Sequence, residues 1–182
     1  SRYSSVSEEF RQIKAMTVYR YKAVIPGNRI FMREYELETR MTLFKLREFL
    51  DRDLEFSPDQ MTVFETLSDK GVIMRRIGLF DFGDGSMDRV SVEDAFKGGT
   101  AALRYVYNMT KALSLELRFE SEADYNPRLS YPVLVAEKGR NPDQFSSVYE
   151  DYGEFSDSGS SQPDVQEDAF DEDELPEGEE AV

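Results

Sequence analysis

The clearest feature of this sequence is the separation of its charges. From residue 141 to the end there are 15 acidic residues and no lysine or arginine, whereas residues 1–140 hold 22 acidic and all 22 basic residues. A segment with such high net charge and few large apolar side chains buries too little surface to offset the entropy of ordering it. We therefore predict one folded domain over residues 17–140, followed by a disordered acidic tail over residues 141–182.

Residues 1–16 form an N-terminal extension that allows two interpretations. Ser5 and Glu8 have the spacing of a capping box, which would begin a short helix. A helix of about two turns is marginal in water, so a frayed segment is the alternative.

A period of two residues indicates a β-hairpin at the start of the domain. Tyr19, Tyr21 and Ala23 alternate with charged residues, and the same alternation continues after residue 30. The pattern predicts strands over residues 17–26 and 30–38. We place the turn at Gly27 and Asn28, because both residue types tolerate positive φ.

A helical period begins at Thr42, which is a favourable N-cap residue. The leucines that follow recur at i, i+3, i+7 and i+11 and are Leu43, Leu46, Leu50 and Leu54. Further patterns predict strands over 61–67, 72–77, 103–109 and 113–120, a short helix over 91–97 and an edge strand over 133–136. We expect an α+β fold: a β-hairpin, then a helix, and a mostly antiparallel sheet with one main helix packed on a face.

Strand 113–120 has the strictest alternation in the chain. Leu113, Leu115, Leu117 and Phe119 are predicted to face the core, and Glu116 is predicted to lie outside. The acidic residues of the second strand, such as Glu36, are likewise expected to be solvated or to protect an edge.

The chain contains no cysteine, histidine or tryptophan. Disulfides, thiolate nucleophiles, imidazole bases and metal sites built from cysteine or histidine are therefore excluded. No run of about 18 apolar residues is present to cross a membrane. We expect a soluble cytoplasmic protein that is not an enzyme and uses no cofactor or metal, and we assign no catalytic residue.

One tripeptide matches a catalytic motif by accident. Asp81, Phe82 and Gly83 read like the metal-binding tripeptide of protein kinases, but the other kinase motifs are missing. The acidic residues around it lack the spacing of an EF-hand calcium loop. We interpret the segment as structural, with Phe82 packed and residues 83–85 forming a turn.

The acidic tail also carries aromatic residues between its acids. They are Phe145, Tyr149, Tyr152, Phe155 and Phe170. One interpretation is a solubilising tail. The other is a docking segment, in which the acids steer towards a basic groove of a protein partner and the aromatic rings anchor there.

Six segments of the domain carry a family resemblance. They are VYRY at 18–21, FMREYEL at 31–37, TLFKLR at 42–47, PDQM at 58–61, LSD at 67–69 and LRYVYN at 103–108. In their order and spacing the chain resembles the Ri-plasmid ORF-three-like family, whose members are also known as insertion-element passenger TnpR-like proteins. The resemblance covers residues 17–139, and an acidic C-terminal tail fits one branch of the family.

The resemblance implies an α+β domain with no established biochemical activity. The TnpR name suggests a resolvase, but no segment here resembles the active site of a serine recombinase. Many members carry a Tyr-x-Tyr-Asp-Phe-Gly-Asp-x-Trp-x-His stretch, where this chain reads YVYNMTKALSL at 105–115. Both tyrosines are kept, whereas Asn108 and Lys111 replace the acids and Leu113 and Leu115 replace Trp and His. The resemblance therefore carries over no acid-based or histidine-based site.

Two hypotheses for function remain open. The first is a non-enzymatic interaction module, in which the α+β body and the acidic aromatic tail bind an unidentified protein partner. The alternative is a nucleic-acid-associated protein of mobile-element origin, whose acidic tail mimics or competes with nucleic acid. We expect no membrane contact and no direct nucleic-acid binding, because the body has no excess of positive charge. A clustered basic face would favour the alternative, and a deep pocket with convergent acids would favour an enzyme.

Overall fold

The computed structural model describes residues 16–147 as one antiparallel sheet with two helices. Its strands are β1 (Val18–Ile25), β2 (Asn28–Glu38), β3 (Val63–Leu67), β4 (Ile73–Ile77), β5 (Ala102–Asn108), β6 (Leu113–Ala123) and β7 (Val133–Lys138), and its helices are α1 (Leu43–Asp53) and α2 (Val92–Ala95). The strand order is β4-β3-β5-β6-β1-β2-β7, and neighbouring strands pair antiparallel. The predicted mostly antiparallel sheet is confirmed. The predictions for residues 1–15 and 148–182 lie outside the described residues.

The hairpin between β1 and β2 turns one residue earlier than predicted. Ile25 pairs with Asn28, so Pro26 and Gly27 are the central residues of the turn, and Gly27 has a φ of 85°. Proline favours the first central position, and glycine suits a second position with positive φ. Asn28 begins β2 instead, where its side-chain oxygen accepts hydrogen bonds from the N–H groups of two following residues.

Helix α1 begins where the sequence predicts. The Thr42 hydroxyl accepts a hydrogen bond from the N–H of Lys45 at 3.2 Å and so satisfies one free donor of the first turn. The four periodic leucines are each at most 1% exposed. The Phe49 ring lies against Tyr35 of β2, with 5.2 Å between ring centroids. Helix α1 and strand β2 are thus in contact through these two rings.

The inward face of β6 ends earlier than predicted. Leu115 and Leu117 are fully buried, but Phe119 is 50% exposed. The pairing of β1 with β6 shifts register between Arg20 and Tyr21, and such a bulge bends a strand and redirects its side chains. Phe119 therefore lies at the border of the core, where its ring contacts Tyr21 and Tyr19.

Hydrogen bonds extend the packed chain beyond the predicted boundary at residue 140. Gln144 is 6% exposed, and its side-chain amide exchanges two hydrogen bonds with the backbone of Ser57, at 2.7 and 3.1 Å. The side-chain oxygen of Asn141 accepts a hydrogen bond from Arg33 Nη2 at 2.8 Å. The sequence boundary was set by where the acids begin, but packing continues through neutral polar side chains that bond to the domain.

Candidate functional site

The loop after β4 holds the two most exposed phenylalanines among the described residues. Phe80 is 72% exposed and Phe82 is 88% exposed. We call residues 78–86 the phenylalanine loop. The prediction that Phe82 packs in the interior is wrong, because the loop closes on its own polar groups and leaves both rings outside.

Asp81 holds the tip of the phenylalanine loop. Its Oδ1 accepts hydrogen bonds from the N–H groups of Gly83 at 2.8 Å and Gly85 at 3.1 Å. Both glycines have positive φ, 124° and 96°, which residues with a side chain rarely adopt. The two backbone donors, that of Gly83 first, lower the pKa of Asp81 and so favour its ionised form.

Asp84 ties the same loop to the open edge of the sheet. β4 is an edge strand, and Asp84 Oδ2 accepts a hydrogen bond from the N–H of Arg76 at 3.0 Å. The Arg75 guanidinium donates to the Asp84 carbonyl oxygen at 2.8 Å and forms an ion pair with Asp94 at 3.4 Å. The loop is thereby anchored at its tip and at its base. The bond to Asp84 also occupies the N–H of Arg76, which would otherwise be a free donor on an edge strand and could pair with another strand.

Further exposed apolar side chains lie within β4 and beside it in the sequence. Val72 is 60%, Ile73 42%, Met74 40% and Leu79 42% exposed. Together with Phe80 and Phe82 they form a run of exposed apolar side chains within eleven positions of the chain. Exposed apolar side chains that form a contiguous patch on a folded protein typically mark an interaction surface.

A buried carboxylate at the end of α1 is the second candidate. Asp51 is 5% exposed, and its Oδ1 accepts a hydrogen bond from the Tyr105 hydroxyl at 2.5 Å. Its Oδ2 lies 3.8 Å from Arg47 Nε. Burial raises the pKa of Asp51, and the hydrogen bond from Tyr105 and the charge of Arg47 oppose that rise.

The surroundings of Asp51 indicate a structural role. An open hollow of about 390 Å³ lies beside it, lined by Arg47, Phe56 and Pro58 among others. Arg47 Nη2 donates to the carbonyl oxygens of Pro58 and Gln60 at 2.9 and 3.3 Å. Both oxygens of Asp51 thus face protein groups, and the cluster joins α1 to β5 and to the segment that follows the helix. We interpret Asp51 as a structural residue that links these segments, rather than as a catalytic acid.

We expect Tyr105→Phe to lower the free energy of unfolding by about 1–3 kcal/mol at pH 7, because the buried Asp51 carboxylate loses its donor. The pKa of Asp51 in the folded protein lies above its usual 3.8, so Asp51 lowers the stability of the protein as pH rises from 3.8 through that folded pKa. Loss of the Tyr105 hydroxyl raises the folded pKa of Asp51 further. The loss of stability in Tyr105→Phe should therefore become smaller as pH falls towards 4. Urea denaturation at pH 7 and pH 4.5 measures the loss of unfolding free energy and its dependence on pH. Tyr125→Phe, on a half-buried tyrosine, is the control, and an equal deficit at the two pH values would contradict the assignment.

Charged residues on the outer face of the sheet form a ladder of ion pairs. Glu65 lies 2.7 Å from Arg76 and 3.2 Å from Arg104, and Glu116 lies 3.5 Å from Arg104 and 3.0 Å from Arg118. Glu65 is 5% and Glu116 9% exposed. Glu116 is therefore on the predicted face, but it is covered by arginines rather than solvated.

The ladder has a counterpart on the first hairpin. Glu36 is 7% exposed and lies 2.7 Å from Arg20, so the expectation that it is solvated is also wrong. Strand pairing sets these carboxylates opposite arginines that lie 11–39 residues away in the sequence, and Glu116 is also paired with Arg118 of its own strand. The arginines of this face are thus balanced by carboxylates within the described part of the chain.

The predicted partner-binding residues fall mostly beyond the described part. Phe145 is 47% exposed, its N–H donates to Asp143 at 2.9 Å, and its carbonyl oxygen accepts a hydrogen bond from Lys111. Tyr149, Tyr152, Phe155 and Phe170 lie outside the described residues. The phenylalanine loop was missed, although two phenylalanines among aspartates and glycines are an unusual composition for a turn.

Within residues 16–147, no group of three or more potential metal ligands is brought together. None of the helices in that range is long and apolar enough to cross a membrane.

Comparisons with known proteins identify the fold but no function. No family model matches this chain, and no curated protein matches it. The crystal structure of a protein of unknown function, MM3350 from Methanosarcina mazei Go1, is similar, with a TM-score of 0.65 and 20% sequence identity. The similarity covers 79% of this chain and 83% of that one. At this identity the shared property is the fold.

Proposed function

We propose that this chain is a non-enzymatic interaction module whose docking surface is the phenylalanine loop. In this proposal α1 covers one face of the sheet, and the resulting body supports the loop rigidly. The supporting observation is the exposure of Phe80 and Phe82, at 72% and 88%, on a loop whose backbone is tied by Asp81 and Asp84. A fixed loop loses little conformational entropy on binding, and aromatic rings are typical binding hot spots.

The acidic aromatic tail is the second part of the proposed module. Phe145 and the aromatic residues after it stand among acids, as Phe80 and Phe82 do in the loop. Acids speed association with a basic surface, and aromatic rings supply contact area. We also propose membership of the Ri-plasmid ORF-three-like family and a cytoplasmic location. The six segments support the family, and the absence of cysteine suits a reducing compartment.

The alternative nucleic-acid role has less support. It requires cations that are free to replace the counterions of phosphates. Arg76, Arg104 and Arg118 each lie within 3.5 Å of a carboxylate, so their charge is already compensated. An enzymatic role would rest on Asp51, whose two oxygens face Tyr105 and Arg47.

Photo-crosslinking tests the interaction module in the full chain. We expect Phe82→benzoylphenylalanine, expressed in the source cell, to give a light-dependent adduct with a protein of one discrete mass. Val135→benzoylphenylalanine is the matched control, because Val135 is 40% exposed on β7 at the opposite edge of the sheet. Adducts at position 82 that are no stronger or more discrete than those at position 135 would contradict the proposal.

A further inference from the structure

We propose that the phenylalanine loop docks on an apolar patch of a partner protein that is rimmed by lysine or arginine side chains. The inference rests on the proposed interaction module and names the chemistry of its partner. Phe80 and Phe82 fill the apolar patch, and Asp81 and Asp84 face the cationic rim.

The charges around the two rings favour a cationic partner. Residues 79–89 contain three aspartates and one arginine. Among the described ion pairs, none involves Asp81 or Asp84, whereas Arg75 is paired with Asp94 and Arg76 with Glu65. The uncompensated charge beside Phe80 and Phe82 is therefore negative. A rim of cations gives the complementary potential.

The geometry leaves the carboxylates available to a partner. Asp81 uses Oδ1 for the two backbone N–H donors, and Asp84 uses Oδ2 for the N–H of Arg76. Each carboxylate thus has a second oxygen that these bonds do not use, on a side chain exposed to solvent. A charged hydrogen bond from lysine or arginine can form there without dismantling the loop.

The same charge argues against three other occupants. A second copy docked through the same loop would set Asp81 and Asp84 against its own Asp81 and Asp84, which brings like charges together. Anionic lipid headgroups and the phosphates of nucleic acid would do the same. A basic protein surface is the occupant that suits both the rings and the aspartates.

Two model peptides test this chemistry against the full chain. The lysine probe is an amphipathic helical peptide of leucine and lysine, and the glutamate probe has the same leucines with every lysine replaced by glutamate. Binding is measured by calorimetry at physiological salt. All variants keep the acidic tail, so its attraction for the lysine probe is common to them and cancels in the comparison.

Matched variants separate the rings from the charges. F80S/F82S removes the rings and should weaken binding of the lysine probe by about tenfold. D81N/D84N keeps the acceptor oxygens of the loop while removing two charges, and should weaken binding by about threefold. The controls are V135S for an exposed apolar side chain and E120Q/E122Q for two exposed acids on β6. We expect each control to change binding by less than about twofold.

The outcomes distinguish this inference from the proposed function. If F80S/F82S weakens binding of the glutamate probe as much as that of the lysine probe, the loop docks but the cationic rim is refuted. If F80S/F82S binds the lysine probe like wild type, the inference is overturned, and the crosslink at position 82 decides the proposed function separately. Another occupant would show as a wild type that forms a dimer, binds phosphatidylserine vesicles or binds duplex DNA. If F80S/F82S abolishes any of these, the loop has another occupant and the inference is also overturned.

Discussion

Leu115→Asp should unfold most of the protein under conditions in which the wild type is stable. Leu115 is fully buried in β6, where its backbone pairs with Tyr105 of β5. A buried carboxylate without a partner costs several kcal/mol, and the loss of the leucine packing adds to that cost. A domain has only about 5–15 kcal/mol of stability in total, so the variant should be largely unfolded.

Circular dichroism and urea denaturation measure this effect. Ser121→Asp places the same side chain on the exposed part of β6 and should change stability by less than about 0.5 kcal/mol. Glu116 is unsuitable as a neutral control, because it is buried between Arg104 and Arg118. Equal stabilities for Leu115→Asp and Ser121→Asp would show that the register of β6 is different from that described.

Ending the chain at residue 140 should lower the free energy of unfolding by about 2–4 kcal/mol relative to a chain that ends at residue 147. The shorter chain loses the Asn141 oxygen that accepts from Arg33, a side chain that is only 2% exposed. It also loses Gln144, whose side chain bonds to Ser57 and whose carbonyl oxygen accepts from Asn108 at 3.0 Å. A buried donor or acceptor left without a partner costs its full desolvation penalty.

Thermal unfolding of chains 1–140, 1–147 and 1–182 compares the two boundaries. We expect the midpoint of 1–140 to lie about 5–15 °C below that of 1–147, and 1–147 to match 1–182 within about 2 °C. Equal midpoints for 1–140 and 1–147 would show that residues 141–147 add nothing to the fold, and would restore the boundary drawn from charge alone.

Local patterns in the sequence were enough to predict most of the elements. Thr42 was predicted as a helix cap and residue 91 as the start of the second helix, and the hydroxyls of Thr42 and Ser91 accept the capping hydrogen bonds from the N–H groups of Lys45 and Asp94. The leucines of α1 and the alternation at Leu115 placed the correct side chains inside. These features depend on neighbours within a few residues, so they can be read without the partner segments.

The errors arose where distant segments meet. Glu116 is buried because strand pairing sets Arg104 beside it, and Gln144 is buried because its side chain bonds to Ser57 in the segment that follows α1. Phe82 is exposed because Asp81 and Asp84 close the loop against β4. Periodicity shows which face of a strand is apolar, but the cost or gain of burying a polar group depends on the group opposite. Local sequence patterns were therefore enough to predict the elements and the apolar face of the sheet. The charge pairs, the bonds made by residues 141–147 and the exposure of Phe80 and Phe82 depend on tertiary contacts that no local pattern shows.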